Sequence, residues 1–225
     1  MQDAQYIFYL TLLALGALIP GGLMGYAWQK RNTPGAKPFA ALMLFLTIWG
    51  GGYFLSVLAG PNLNAKIFWS NLEFIGVVFT PVAWLIFAIE YSGRERWYTS
   101  RRLLFLSLLP LLSLTLLFTN ASHLRFFTAY HAVQVGTFWV LASDYGPFFW
   151  LHAAYTYLLI LIGFGLVSRT LFRQIAVYRG QLVGILLGLA APLISSIVTV
   201  AGLLKVPIDL APFSFALTGL VMGWT

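Results

Sequence analysis

Long apolar segments dominate this chain and restrict it to one class of fold. A helix needs about 20 apolar residues to cross a bilayer, and seven stretches of the sequence approach that length. They cover about residues 5–28, 38–60, 65–91, 102–119, 147–170, 180–204 and 208–225. Because the bilayer core offers no water to backbone groups, such segments span it as α-helices. The sequence therefore predicts an all-α membrane protein, a bundle of seven transmembrane helices.

The composition excludes several classes of function. Only 8% of the residues are charged and 60% are hydrophobic, whereas soluble domains average roughly 25% charged residues. The chain has no cysteine, which rules out disulfides and thiolate metal sites. His123, His131 and His152 are scattered and form no metal motif. We therefore predict no metal and no cofactor.

The positive charges predict the orientation of the bundle. Ten of the thirteen Lys and Arg residues fall in the loops between helices 1 and 2, 3 and 4, and 5 and 6. They are Lys30, Arg31, Lys37, Arg94, Arg96, Arg101, Arg102, Arg169, Arg173 and Arg179. Since cytoplasmic loops carry the excess of Lys and Arg, the N-terminus is predicted outside and the C-terminus in the cytoplasm. The net charge of +7 thus reflects topology, and no nucleic-acid partner is expected.

The sequence ends where predicted helix 7 reaches the cytoplasm. Such an ending is typical of a piece of a longer protein, so we expect the cytoplasmic effector domain to be absent from this chain. Residues 1–225 are then one seven-transmembrane sensory domain.

One long loop, at about residues 120–146, lies on the outer side between helices 4 and 5. The runs RFFTAYHAV and TFWVLA flank Gly136 and are rich in aromatic and β-branched residues. This pattern predicts a short β-hairpin. The hairpin would act either as a lid over the outer mouth of the bundle or as a simple interfacial cover.

Polar residues collect in the outer half of the predicted bundle, beneath this loop. Glu73 lies within helix 3, and an acid in a membrane is a candidate functional residue. At about 1.5 Å per residue, Glu73 lies roughly 10–15 Å and His152 of helix 5 roughly 8–9 Å below the outer start of its helix, and Asp209 opens helix 7. Apolar walls with a few polar groups are typical of a small-molecule pocket. The predicted ligand-binding residues are Glu73, His152, Trp69, Ser70, Tyr155, Trp150, Asp209 and Phe213.

Each of these residues also has a structural interpretation. Asp209 can cap the N-terminus of helix 7, and His152 can hydrogen-bond a neighbouring helix. Trp and Tyr near the boundary can be interfacial belt residues. Glu73 must be paired, hydrated or protonated to lie in a membrane.

Small residues and prolines mark candidate positions for signal transmission. Gly188 and Pro192 belong to a stripe of small and polar residues along helix 6, which allows close helix packing. Pro192 and Pro212 are candidate bends. We predict that these three residues transmit a shift in helix packing.

The chain resembles the seven-helix N-terminal sensor region of bacterial and archaeal membrane histidine kinases. The matching pieces are WSNLEFIGVVFTPVAWLIFAIEYSG, TNASHL, YGPFFWLHAAYTYLL, YRGQ and PIDLAPFSFALTGLVMG, in this order along nearly the whole chain. The resemblance implies a multi-pass protein of the prokaryotic inner membrane. It also implies a sensory domain that binds an unknown small extracellular or membrane-soluble ligand.

The same resemblance implies a non-catalytic chain whose parent is a homodimeric histidine kinase of a two-component system, or a related cyclase. Helix 7 would carry the signal to that effector. Two other functions stay open from the residues alone: a small-solute transporter or channel, and a proton sensor without an organic ligand. A retinal protein is disfavoured, since the stretch 208–225 contains no lysine for a Schiff base.

Overall fold

The fold comes from a computed structural model that describes residues 2–94, 97, 99–173, 179–201, 203, 209–215 and 218. For residues 2–5, 171–173, 179–182, 185 and 189 only the backbone is described. The long helices are α1 (Gln2–Gln29), α2 (Ala36–Leu58), α3 (Leu63–Tyr91), α4 (Ser100–Phe118), α5 (Pro147–Arg173) and α6 (Arg179–Val200). Strands β1 (Phe127–Val135) and β2 (Phe138–Tyr145) lie between α4 and α5.

Five of these helices are long and apolar enough to cross a membrane. Within the described residues they run over Tyr6–Gln29, Ala36–Leu58, Leu63–Tyr91, Ser100–Phe118 and Pro147–Thr170, which confirms the first five predicted spans. Helix α6 contains a shorter apolar stretch, Leu186–Val200. Residues 211–215 are helical at the start of the predicted seventh span, and most of the remainder of that span lies outside the described residues.

Local sequence signals explain where several helices begin. Asn62 precedes α3, and its side-chain oxygen accepts a hydrogen bond from the N–H of Ala65 at 3.1 Å. Thr99 precedes α4, and its hydroxyl oxygen accepts a hydrogen bond from the N–H of Arg102. These side chains satisfy backbone donors that the first helical turn leaves unpaired. Pro147 opens α5, where its missing N–H costs no hydrogen bond.

Helix α3 lies at the centre of the bundle. It packs against α2, α4 and α5, while α1 packs on the far side of α2 and α6 packs on α5. The main core includes Leu42 and Met43 of α2, Trp84 of α3 and Val167 of α5, all buried. Large apolar side chains on α1, α4 and α5 point outward, as expected of surfaces that face lipid; examples are Phe8, Phe105 and Leu161.

The predicted β-hairpin is confirmed. Strands β1 and β2 pair in antiparallel fashion, with Val135 opposite Phe138. Gly136 adopts a φ of 62°, a conformation that glycine tolerates best, and so allows the tight turn. Both strands extend beyond the predicted runs, to Val135 and to Tyr145.

Two side chains attach this hairpin to the helices. The Asn120 oxygen accepts hydrogen bonds from the N–H groups of Phe126 and Phe127, at 3.0 and 3.2 Å, and its amide nitrogen donates to the Phe127 carbonyl at 2.7 Å. Lys66 of α3 is fully buried and donates to the carbonyls of Ser56 at 2.7 Å and Trp139 at 2.8 Å. The hairpin is therefore held against α2 and α3.

Candidate functional site

A cavity of about 460 Å³ lies between the hairpin and the helices. Its walls come from α2, α3, α5, α6, both strands of the hairpin and Asp209. The lining includes Trp49, Tyr53, Ser56, Ser70, Glu73, Phe74, Phe127, Tyr145, Phe149, His152, Ala153, Thr156, Tyr157, Ser196, Thr199 and Asp209. This volume is within the roughly 300–1,000 Å³ that small-molecule sites occupy.

Two carboxyl groups line the cavity from different elements. Glu73 of α3 is only 7% exposed, and it interacts electrostatically with Asp209, which follows α6 in the chain. The Asp209 carboxylate also accepts a hydrogen bond from the N–H of Ala211 at 2.9 Å, as a helix cap does. A backbone N–H therefore holds the Asp209 carboxylate in place, whereas Glu73 projects from the middle of helix α3.

One hydroxyl of the lining is buried without a partner, Thr156 Oγ1 on α5. Trp49 Nε1 on α2, by contrast, interacts with both carboxyl groups. Because a buried polar group without a partner is unfavourable by about 1–3 kcal/mol, Thr156 indicates a site that is completed by a bound molecule or by water.

His152 presents an acceptor to the cavity. Its Nδ1 lies 3.3 Å from Ser113 Oγ on α4. The single proton of that hydroxyl is donated to the Leu109 carbonyl at 2.8 Å. Ser113 therefore accepts from His152, which places the ring proton on Nδ1. Nε2 is then left as a hydrogen-bond acceptor in a residue that is only 3% exposed.

Aromatic rings form much of the outer wall. Tyr145 stacks on Phe149 with centroids 3.9 Å apart and planes 6° from parallel. Phe74 of α3 meets Phe127 of β1 edge to face at 5.5 Å. Burial raises the pKa of Tyr145 to about 12, and the Asp209 carboxyl adds to that rise. The Tyr145 phenol is therefore neutral at physiological pH.

Tyr53 connects the cavity to α1 and to the segment after α6. Its hydroxyl lies 3.3 Å from the hydroxyl of Tyr9 on α1 and accepts a hydrogen bond from the N–H of Asp209 at 3.2 Å. Hydrogen bonds through the two tyrosines thus join Asp209 to α2 and α1.

Four of the eight predicted ligand-binding residues line this cavity: Glu73, Ser70, His152 and Asp209. The other four lie outside its lining. Trp69 packs against Phe68, and Trp150 is 52% exposed. Tyr155 donates to the Leu106 carbonyl at 2.6 Å and joins α5 to α4, while Phe213 packs against Tyr9 with ring centroids 5.1 Å apart.

Two of the three residues predicted for signal transmission, Gly188 and Pro212, contact other helical segments, and the contacts found for Pro192 lie within its own helix. Gly188 in α6 accepts a hydrogen bond from the Thr218 hydroxyl. Pro212 is buried, and its carbonyl lies directly against Gly16 of α1. Pro192 is inside α6, where its carbonyl and that of Ala191 both accept from Ser195 Oγ.

The sequence reasoning missed most of the α2 wall. Trp49, Tyr53 and Ser56 recur at spacings of four and three residues, which puts them on one face of a helix. That polar stripe within an apolar span is a signal that identifies a cavity-facing surface. The aromatic residues Phe74, Phe127 and Phe149 give no such signal, because aromatic residues are common at lipid-facing positions.

One comparison with known families is informative. The family model for the N-terminal 7TM region of histidine kinases matches residues 12–225 of this chain. No curated protein shows significant sequence similarity to it. A match over nearly the whole length, on a chain whose described residues include five candidate membrane helices, identifies a multi-pass membrane sensor region that is not itself catalytic. The chain therefore belongs to the family of N-terminal seven-transmembrane regions of histidine kinases.

Proposed function

We propose that this chain is a sensory domain that binds a small molecule in the hairpin-covered cavity and reports its presence to a cytoplasmic histidine kinase or related cyclase. In this proposal residues 1–225 form one domain of seven spans, with the N-terminus outside a prokaryotic inner membrane. The parent kinase phosphorylates a histidine in a two-component system and acts as a homodimer.

The cavity itself is the observation that carries this proposal. It combines a suitable volume, aromatic walls and polar groups from four helices, and both strands of the hairpin form part of its wall. The lining includes one buried hydroxyl without a partner, Thr156 Oγ1. A site of this composition suits a ligand of modest size.

The contacts around Asp209 supply a route for the signal. A ligand that contacts both Glu73 and Asp209 joins α3 to the segment that leads into the predicted seventh helix. Tyr53 extends the link to α1 and α2. The ligand shifts the equilibrium only if it binds one packing arrangement better than the other. Pro212 and Gly188 lie at contacts that such a shift would change.

The test is a thermal-unfolding screen of the purified chain against small molecules, repeated with a variant that fills the cavity. Ala153 lines the cavity and is 8% exposed, whereas its neighbour Ala154 is exposed. Ala153→Leu should abolish stabilisation by any ligand of this site, and Ala154→Leu should preserve it. A ligand at 100 times its Kd stabilises the protein by about 2.7 kcal/mol.

The outcomes separate clearly. A hit that is lost only in Ala153→Leu supports a receptor with its site here. A hit that both variants retain places binding elsewhere, and no hit across a broad library contradicts the receptor proposal.

A proton sensor is the second candidate, and the pair of carboxyl groups favours it. Protons alone can relieve the repulsion between Glu73 and Asp209. In that case the melting temperature should depend on pH, the dependence should be lost in Glu73→Gln, and no organic molecule should stabilise the protein.

A further inference from the structure

The charge balance of the cavity is unusual for a membrane interior. Glu73, Asp209 and Asp144 all line it, and no Lys or Arg is found among the described residues of the lining. Helix α3 contains one basic residue, Lys66. It lies outside the lining and donates to two backbone carbonyls. Buried charges normally have a partner of opposite charge. Glu73 and Asp209 have no such partner among the described residues of the lining.

The remaining polar atoms also favour a positively charged donor. His152 Nε2 is an acceptor, because Nδ1 carries the ring proton toward Ser113. Both carboxyl groups are acceptors as well. A ligand with N–H donors or a cationic head satisfies these groups together, whereas an anion would be repelled by two acids.

The walls indicate an organic cation in preference to a metal ion. Phe74, Phe127, Tyr145, Phe149 and Tyr53 supply aromatic rings around the cavity. A cation near the face of such a ring is attracted by the negative potential of the π-system. Within the described residues no group of three or more His, Cys, Asp or Glu can hold a metal. A cavity of about 460 Å³ is also far larger than a bare ion requires.

We propose that the ligand of this sensor is a small organic cation, an amine or quaternary ammonium, held by Glu73 and Asp209 within the aromatic walls. The inference rests on the proposed function, because it names the ligand class of the same cavity. Asp144 is at the outer edge, 66% exposed and 3.5 Å from His131. Its carboxylate adds negative potential at the entrance, which draws cations toward the site.

The test compares molecules of the same shape that differ in charge. Choline carries a permanent positive charge, and 3,3-dimethylbutan-1-ol is its neutral carbon analogue. Phenethylamine and 2-phenylethanol form a second pair. Binding to the purified chain in nanodiscs is measured by calorimetry and by thermal unfolding. At least one cation should bind about 10-fold or more tightly than its neutral partner, as expected for a charge-assisted contact.

Variants of the two acids test whether they bind the positive charge of the ligand. Glu73→Gln and Asp209→Asn keep the side-chain shapes and should each weaken cation binding by about 10- to 100-fold. They should leave binding of the neutral analogue nearly unchanged. Glu90→Gln is the matched control, since Glu90 lines a separate cavity of about 670 Å³ and should retain full binding.

Three results would overturn the proposal. The first is a neutral analogue that binds as well as its cation and is lost in Ala153→Leu; the receptor function would then stand without this ligand class. The second is a pH-dependent melting temperature with no cation effect, which favours proton sensing. The third is cation binding only in Lys205→Gln, which would show that Lys205, outside the described residues, supplies the positive charge.

Discussion

At the scale of single residues, Lys66 is the clearest case of a side chain whose role depends on its surroundings. It is fully buried in the outer part of α3. Its ammonium group donates to carbonyls of α2 and of β2, at Ser56 and Trp139. Within the described part of the chain, two carbonyl dipoles and no carboxylate hold this charge. The side chain thereby fastens the hairpin over the cavity.

Replacement of Lys66 by methionine should loosen the hairpin. The two carbonyls lose a donor, and each unsatisfied buried group is unfavourable by about 1–3 kcal/mol. We expect a lower melting temperature and faster protease cleavage within residues 127–145. Lys37→Met is the control, because Lys37 is exposed and its loss should change stability by no more than about 0.5 kcal/mol. Equal stability of the two variants would contradict the role assigned to Lys66.

At the scale of secondary-structure elements, the α2–α3 contact determines where Glu73 lies. Gly52 of α2 faces Glu73 so closely that a Cβ on the glycine would lie 2.6 Å from the Glu73 Cβ and 2.7 Å from its Cα. Gly76, one turn further along α3, lies against the backbone of Phe45 and Trp49. Small residues at these crossings let the two backbones approach. Both helices therefore share a wall of the cavity.

Gly52→Ala should separate the two helices, because the obstructing atoms belong to the α3 backbone and cannot rotate away. We expect a loss of about 1–3 kcal/mol in the free energy of unfolding, as for other overpacked sites, and weaker ligand binding. The control is Gly51→Ala at the adjacent position, where nothing lies within 4 Å of the added Cβ. That substitution should be neutral or stabilising by up to about 1 kcal/mol. Similar melting temperatures for the two variants would contradict the close-packing argument.

At the scale of the whole molecule, the loops divide between two ends of the bundle. The N–H of Gly35, in the loop between α1 and α2, donates to Glu90 near the end of α3 at 2.6 Å. The start of α3 and the hairpin meet at the opposite end, through Lys66. The loops between α1 and α2 and between α3 and α4 thus share one end, and with the first turns of α2 and α4 they carry seven of the thirteen basic residues. The positive-inside rule assigns that end to the cytoplasm.

The absence of native cysteine makes this orientation directly testable. Gln134→Cys in the hairpin should react with a membrane-impermeant maleimide in intact cells. Asn32→Cys and Ser100→Cys, at exposed positions of the opposite end, should react only after the cells are permeabilised. The reverse labelling pattern would show that the orientation is opposite to the predicted one. Labelling of all three cysteines in intact cells would show that the spans are placed differently.

Much of the architecture followed from local chemistry. Apolar runs predicted seven membrane helices, because lipid leaves the backbone no other way to satisfy its hydrogen bonds, and five of these are found among the described residues. Gly136 between two aromatic runs predicted the hairpin. Glu73, Ser70, His152 and Asp209 were found as candidates because polar groups are rare in such spans. These signals are properties of short segments and need no knowledge of which helices are neighbours.

The chain sequence alone therefore determined that this is a helical membrane protein, and it predicted acidic and aromatic residues in the outer half. Only the tertiary structure decided which of those residues meet. It brought Trp49 and Tyr53 of α2 to Glu73 and Asp209, turned Trp150 outward and directed Tyr155 to α4. The physical reason is that burial of an aromatic residue depends on helix rotation and crossing. Those are set by contacts distant in sequence, such as Gly52 against Glu73, and not by any local pattern.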